Sequence, residues 1–183
     1  MPKDTPLDDD RIGLEARAAA DDHAALKLWL RLLACSTQIE TEIRKRLRAR
    51  FGITLSRFDY LAQLHRHPEG LRMNALSRYL MVTGGNITGL TDELEKEGLV
   101  QREPSPQDRR AFVLKMTPEG RGRFEQIAAE HEGWIVELLG GLKAGERKTL
   151  HALLGTLRVT IAQRQDAQDA QEPLSPDTPE TAK

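Results

Sequence analysis

The chain has 183 residues, of which 39% are hydrophobic, and its formal net charge is −1. This length favours one domain, or one domain with appendages, and no apolar run approaches the roughly 18 residues that a membrane span needs. The single cysteine excludes an internal disulfide, and MPKDTPLDDD lacks a signal-peptide pattern, so we expect a cytoplasmic protein.

The charge is distributed unevenly along the chain. Residues 1–22 hold three basic and seven acidic side chains, and residues 166–183 hold one basic and five acidic, so residues 23–165 carry +7. A basic body is compatible with a nucleic-acid partner, although an ordinary solvated surface would give the same totals. Both ends are polar, and we expect them to be disordered.

The first part of the body is predicted to hold two helices. From Ala24 to about Arg50, apolar residues recur at spacings of three and four. Gly52 ends this pattern. A second helix is expected from an N-cap at Thr54 to about His65, followed by a turn.

Two short helices with a tight link come next. The first is expected over Arg72–Leu80, and the second runs from a cap at Thr83 to Glu97, where Gly98 stops it. The apolar stripe of the second helix is formed by Ile87, Leu90 and Leu94. This pair has the form of a helix-turn-helix.

A β-hairpin and two long helices complete the predicted elements. Val100, Phe112 and their neighbours favour strands over 99–103 and 111–116, around the polar tip PSPQDRR. Thr117-Pro118-Glu119 is a strong helix start, and a last helix is expected from Ala144 to about Gln165. The order predicts a mainly α protein with a small β-hairpin wing: a winged helix-turn-helix flanked by helices from both ends.

The second helix of a helix-turn-helix presents its N-terminal part to the major groove. Opposite the apolar stripe lie Gly85 and Gly89, with Asn86 and Thr88 on the flanks. Small residues allow close backbone approach, and the two polar side chains can hydrogen-bond base edges. The alternative is that Gly84 and Gly85 form only a loose connector.

The hairpin tip carries Asp108, Arg109 and Arg110. Arginine suits the narrow, electronegative minor groove, and Asp108 can pair with Arg110 to hold the tip in shape. Most charge runs are simply solvated. Here the position after a helix-turn-helix favours a DNA-binding wing.

The segment KEGLVQREPSPQDRRAFVLKMTPEG resembles the wing region of the MarR family of bacterial transcription regulators, and LSRYLMVTGGNITGLTDELEKEGLV resembles that family's helix-turn-helix. The resemblance covers about residues 24–165. It implies an obligate homodimer with the first and last helices at the interface. It also implies two recognition helices in successive major grooves of a palindromic operator in double-stranded DNA.

The resemblance also divides the chain and assigns DNA contacts by position. It implies a dimerisation helix, a winged helix-turn-helix and further dimerisation helices over residues 23–53, 54–117 and 118–165. The acidic ends, residues 1–22 and 166–183, are expected to be disordered from their composition. Arg110 is the expected minor-groove contact, with Asp108 and Arg109 beside it. The expected recognition-helix and phosphate contacts are Thr83, Gly85, Asn86, Thr88, Gly89, Ser77 and Arg78. Many members carry Ser or Arg where this chain has glycines, so fewer base contacts are expected.

In this family a small ligand usually binds between the dimerisation helices and the winged domain. The residues expected to line such a site are Trp29, Leu32, Cys35, Arg57, Tyr60, His65, His131 and Trp134. The competing interpretation is core packing for each of them except Arg57, which could equally meet DNA phosphates. The segments LWLRLL, TLSRFDYLAQL, MVTGGNITGL and HEGW resemble the branch that controls hydroxycinnamate catabolism, which implies an aromatic acyl-CoA thioester as effector. A free phenolic acid is the alternative, as is an oxidant that acts through Cys35.

Other kinds of site find little support in the sequence. We expect Cys35 to be a buried thiol packed as a small apolar residue. The five histidines show no metal-ligand spacing, and no phosphate loop, nucleophile elbow or HExxH is present, so neither a metal, a cofactor nor an enzyme is expected. A helical protein-interaction module without DNA binding is the competing class of function.

Overall fold

The structure is a computed structural model that describes residues 24–80, 84–105 and 112–169. None of the helices in these ranges has the length and hydropathy of a membrane span. The elements in chain order are α1 (Ala24–Phe51), α2 (Leu55–Arg66), β1 (Leu71–Arg72), α3 (Met73–Leu80), α4 (Gly84–Lys96), β2 (Val100–Pro104), β3 (Phe112–Met116), α5 (Pro118–Leu138) and α6 (Ala144–Asp169). The three strands form an antiparallel sheet in the order β1-β3-β2. The predicted mainly α fold with a hairpin wing is confirmed.

The chain divides into two compact units, residues 1–135 and 136–183. The first unit contains the hydrophobic core, which draws buried side chains from the end of α1, from α2 to α4, from β2 and β3, and from α5. In the second unit the leucines of α6 are exposed, as Leu153 at 63% illustrates. An apolar helix face of this kind is typical of a helix that packs against another element.

Local sequence signals set the ends of α2 and α4. Thr54 Oγ1 accepts a hydrogen bond from the Arg57 backbone N–H at 3.3 Å, which confirms the predicted N-cap. Gly98 has a φ of 73°. Its N–H bonds to the Glu95 carbonyl at 2.9 Å, and the Leu99 N–H bonds to the Leu94 carbonyl at 2.9 Å. This is the Schellman arrangement, and it explains why α4 stops where the glycine predicts.

The Thr-Pro-Glu-Gly segment joins the start of α5 to the end of α4. Thr117 Oγ1 donates to the Gly98 carbonyl at 2.7 Å and accepts from the Gly120 N–H at 3.0 Å. A Cβ atom at Gly120 would lie 2.0 Å from the Leu99 carbonyl oxygen. Only glycine therefore allows α5 to begin directly against the turn that follows α4.

The structure corrects two predicted boundaries. Arg72 was predicted to begin a helix, but Leu71 and Arg72 form the short strand β1, which pairs with Leu114 and Val113 of β3. Two residues carry too little pattern to reveal a strand, because the pairing depends on a partner some 40 residues later. At the other end, α6 runs to Asp169 rather than Gln165, so the expected tail begins inside the helix.

Cys35 was expected to be buried, and this prediction is wrong: the thiol is exposed. It lies in the N-terminal half of α1, where Trp29 is also 55% exposed. The buried residues of α1 are Ile43 and Leu47, near its C-terminal end. The apolar spacing therefore identified the helix correctly, but only its last part packs into the core of this chain.

Candidate DNA-binding interface

The core-facing side of α4 is narrower and more polar than predicted. Ile87 and Leu94 are buried as expected, at 1% and 0% exposure, whereas Leu90 is only half-buried. Thr91 is fully buried between them on the same side. A hydroxyl-bearing residue gives no apolar signal, so the sequence pattern missed it.

The opposite side of α4 is open along its N-terminal half. A Cβ atom added at Gly85 or Gly89 would meet no atom within 4 Å. Asn86 and Thr88 are exposed, and Thr88 Oγ1 donates to the Gly84 carbonyl at 3.0 Å. The predicted cap Thr83 lies outside the described residues. The described start of α4 therefore exposes backbone that carries no side chains at its glycines, next to one amide and one hydroxyl group.

The preceding helix α3 carries the expected phosphate contacts. Arg78 is exposed in the last turn of α3. Ser77 is half-buried, and its Oγ donates to the Asn74 carbonyl at 3.0 Å. An exposed guanidinium beside the open end of a helix can neutralise a phosphate without any rearrangement of the core.

The wing is anchored to α4 by an arginine that sequence reasoning missed. Arg102 of β2 forms ion pairs with Asp92 and Glu95 of α4. The hydrogen bond to Asp92 and the charge of Glu95 raise the pKa of Arg102 above its usual value. The predicted tip residues Asp108, Arg109 and Arg110 lie outside the described residues. What the structure shows is that the base of the wing is tied to the helix it follows.

The two strands of the wing are joined by an ion pair of their own. Lys115 Nζ lies 2.8 Å from Glu103 Oε2 across the β2–β3 ladder. The hydrogen bond from Lys115 lowers the pKa of Glu103 below its usual value. Cross-strand pairs of opposite charge favour the observed register of the hairpin.

A buried hydroxyl pair connects α2 to the middle of α4. Tyr60 Oη lies 2.8 Å from Thr91 Oγ1, and both side chains are fully buried. Burial raises the pKa of Tyr60 to about 12. Tyr60 was expected to line a ligand site, but it is part of the contact that holds α4 in place.

A cleft of about 410 Å³ opens beside the exposed side of α4. It is lined by Ser56, Asp59, Leu80, Gly85, Asn86, Gly89, Leu90 and Glu93. Burial, followed by the charge of Glu40, raises the pKa of Asp59. The lining contains the carboxylates of Asp59 and Glu93 and no cationic side chain. It shares three residues with the predicted DNA-binding set and none with the predicted ligand-binding set.

Three of the predicted ligand-binding residues do come together. The ring of His131 lies 4.7 Å from Phe58 and 6.4 Å from Trp134, and His65 lies 4.9 Å from Phe124. Burial lowers the pKa of His131. These rings form one aromatic cluster where α2 meets α5.

The remaining predicted ligand residues lie elsewhere. Trp29 and Cys35 are exposed on the N-terminal half of α1, where Leu32 is half-buried. The guanidinium of Arg57 is paired with Glu97, just after α4, instead of being available to an anion. Among the described residues, no group of three or more His, Cys, Asp or Glu side chains could hold a metal ion.

Comparison with known proteins places this arrangement among transcription regulators. A sequence model described as "MarR family" matches residues 51–111. The "Transcriptional activatory protein BadR" of Rhodopseudomonas palustris is 31% identical over 80% of this chain and 86% of its own length. The "HTH-type transcriptional repressor YetL" of Bacillus subtilis is 28% identical over 74% of this chain and 81% of its own. The crystal structure of a "MarR family transcriptional regulator from Silicibacter pomeroyi" superposes with a TM-score of 0.66 at 30% identity, covering 78% of this chain and 99% of that one.

Proposed function

The chain belongs to the MarR family, and on that premise we propose that it is a ligand-responsive repressor that occupies a palindromic operator until an effector releases it. Like its named relatives, it is a DNA-binding transcription regulator and not an enzyme. The observation that carries the proposal of operator binding is the open N-terminal half of α4, with Asn86 and Thr88 exposed beside glycines that have free space around them.

In the proposed complex, α4 enters the major groove and the wing reaches the adjacent minor groove. The free space at Gly85 and Gly89 supports close approach of the helix backbone, and the helix N-terminus favours phosphate. Asn86 suits adenine, and Thr88 offers a hydroxyl and a methyl group to base edges. Arg78 supplies charge to the backbone, and Arg110 is assigned to the minor groove from its position in the sequence.

Regulators of this family bind DNA as dimers and respond to small ligands. We assign the dimer interface of this chain to exposed apolar side chains on α1 and α6. Those on α6 are Leu150, Leu153, Leu154, Leu157 and Ile161. A second copy of the chain is the simplest partner that would remove these side chains from water.

The proposed effector is an aromatic acyl-CoA thioester, with a free phenolic acid as the alternative. This proposal rests on the four segments that resemble regulators of hydroxycinnamate catabolism. His65 and His131 are half-buried beside the buried Trp134 where α2 meets α5, and a planar ring could stack on these two imidazoles. An effector that binds more tightly when the two recognition helices are spaced differently would lower DNA affinity. The decrease corresponds to the difference between the effector's binding free energies for the two spacings.

The test is a gel-shift titration on DNA from the region upstream of the chain's own gene. Arg110→Ala is expected to abolish or strongly weaken binding while the protein stays folded and dimeric. Aromatic acids and their CoA thioesters are then titrated against the wild-type complex, and release by the thioesters is expected. Release by the free acids alone would replace the thioester with the alternative, and unchanged binding by Arg110→Ala would remove the wing assignment.

The sign of regulation is tested separately, because one relative is named as an activator and another as a repressor. Transcription from the bound promoter is measured in vitro with and without the protein. The proposal predicts less transcript with the protein present. More transcript would show that this chain activates.

A further inference from the structure

Two buried hydroxyl groups fix the contact between α2 and α4. Thr91 Oγ1 donates to the Ile87 carbonyl at 2.7 Å, and Tyr60 Oη lies 2.8 Å from the same Thr91 oxygen. A threonine hydroxyl has one proton. Because that proton is directed to the Ile87 carbonyl, Tyr60 is the donor and Thr91 the acceptor. The result is a short chain of hydrogen bonds from α2 into the backbone of α4.

This contact restricts α4 in a way that its apolar neighbours do not. Ile87 and Leu94 are buried on the same side of the helix, and apolar burial has no preferred direction. A hydrogen bond weakens steeply with distance and angle. A small rotation or slide of α4 against α2 could keep the apolar contacts, but it would break the bond between Tyr60 and Thr91.

The other polar contacts of α4 are at least partly exposed. Asp92 and Glu95, which hold Arg102, are 60% and 36% exposed, and Glu97, which holds Arg57, is 40% exposed. Salt screens such pairs. The hydroxyl pair is uncharged and fully buried, so it holds the orientation of α4 at any ionic strength.

We propose that Tyr60 and Thr91 are positioning residues that set the rotation of α4 and thereby place Asn86 and Thr88 against base edges. Asn86 lies five residues before Thr91, about 7.5 Å along the helix axis, so a rotation at one is carried to the other. The inference rests on the proposed role of α4 as the DNA-reading helix. It concerns specificity, because phosphate contacts carry no sequence information whereas base contacts demand defined geometry.

The experiment compares two duplexes, the operator and a scrambled duplex of the same length and composition. Tyr60→Phe keeps the ring and removes the hydroxyl. Its affinity for the operator is expected to fall roughly three- to tenfold, the effect of one net hydrogen bond. Its affinity for the scrambled duplex is expected to stay unchanged, so the ratio of the two dissociation constants falls. The loss is expected at both low and high salt.

Thr91 provides the matched variants. Thr91→Ser keeps the hydroxyl and is expected to retain the wild-type ratio, whereas Thr91→Val is expected to lose it. The double variant of Tyr60→Phe and Thr91→Val is expected to lose no more than Thr91→Val alone, because both changes remove the same bond. Circular dichroism confirms that each protein is folded before its DNA binding is measured.

Two further variants separate the possible failures. Ile127→Val, in the buried core on α5, controls for lost stability and is expected to leave the ratio unchanged. If Tyr60→Phe and Thr91→Val keep the wild-type ratio, or if Ile127→Val lowers it equally, the positioning role is overturned. If Asn86→Ala leaves operator affinity unchanged, the role of α4 in recognition fails, and the inference falls with it. If Asn86→Ala weakens operator binding and Tyr60→Phe does not, only the positioning role fails.

Discussion

Gly85 and Gly89 lie one helical turn apart on the exposed side of α4. Apart from the neighbouring backbone of α4 itself, no described atom lies within 4 Å of where a Cβ at either position would stand. Nothing within the described chain therefore requires glycine at these two positions. Glycine in a helix interior costs about 1 kcal/mol relative to alanine, so the chain carries a helix that is weaker than it needs to be. The missing side chains point to a partner that approaches from outside.

The first prediction follows from this open space. Gly89→Ala is expected to raise the free energy of unfolding by up to about 1 kcal/mol. The same change is expected to weaken operator binding, because the added methyl group projects into the space assigned to DNA. Thermal unfolding and fluorescence anisotropy measure the two effects. Gly122→Ala on α5, which also meets no atom within 4 Å, is the control and should stabilise without loss of DNA affinity. A Gly89→Ala protein that binds the operator as well as wild type would contradict close backbone approach.

The second prediction concerns the ion pairs that tie the wing to α4. Arg102→Gln removes the ion pairs with Asp92 and with Glu95 in one step. Because these carboxylates are partly exposed, the expected loss of stability is about 1 kcal/mol at low salt and less at high salt. Urea unfolding at two salt concentrations measures the loss. A loss that does not change with salt would mean that packing of the Arg102 side chain, rather than charge, ties β2 to α4.

The third prediction concerns pH. Burial lowers the pKa of His131 from its usual value of 6.5, so the neutral form is favoured in the folded protein. The contribution of neutral His131 to the free energy of unfolding is fully present above the pKa of the unfolded state, about 6.5. It is lost as the pH falls through the lower pKa of the folded state. His131→Gln is expected to flatten the fall in the urea midpoint below about pH 6.5. His151→Gln, at an exposed position on α6, is the control. An equal slope in His131→Gln and wild type would refute the assignment.

The fourth prediction concerns the dimer. Leu157→Glu places a charge in the exposed apolar face of α6 and is expected to shift the protein to a monomer that remains folded. Sedimentation velocity gives the oligomeric state. Gln163→Glu introduces the same charge on the polar side of α6, where the dimer should persist. If Leu157→Glu remains dimeric, the interface does not include this face.

The sequence predicted the elements of this fold well because most of them carry strong local signals. Thr54 marks the start of α2, Gly98 marks the end of α4, and the periodic leucines identified α6. Other features depend on distant partners. β1 exists only because β3 supplies its hydrogen bonds, and the burial of Thr91 depends on Tyr60 of another helix, which forms a hydrogen bond with its hydroxyl group.

The predicted site divides in the same way. The exposure of Asn86 and Thr88 followed from helix periodicity, since the opposite side is apolar. The proposed ligand residues could not be placed by periodicity, because a pocket is formed by separate elements. Tyr60 is in the core, Arg57 is paired with Glu97, and Trp29 is exposed on α1. Only His65, His131 and Trp134 lie in one cluster.

The central claim is that the open end of α4 reads a palindromic operator, and selection from a random duplex library tests it most directly. Wild-type protein should enrich a two-fold symmetric sequence whose half-sites lie about one helical turn, roughly 34 Å, apart. Asn86→Ala should relax the preference at one position in each half-site and leave the spacing unchanged. The account would be contradicted if the wild-type protein enriched no sequence. It would also be contradicted if Asn86→Ala enriched the wild-type sequence with the same preference at every position.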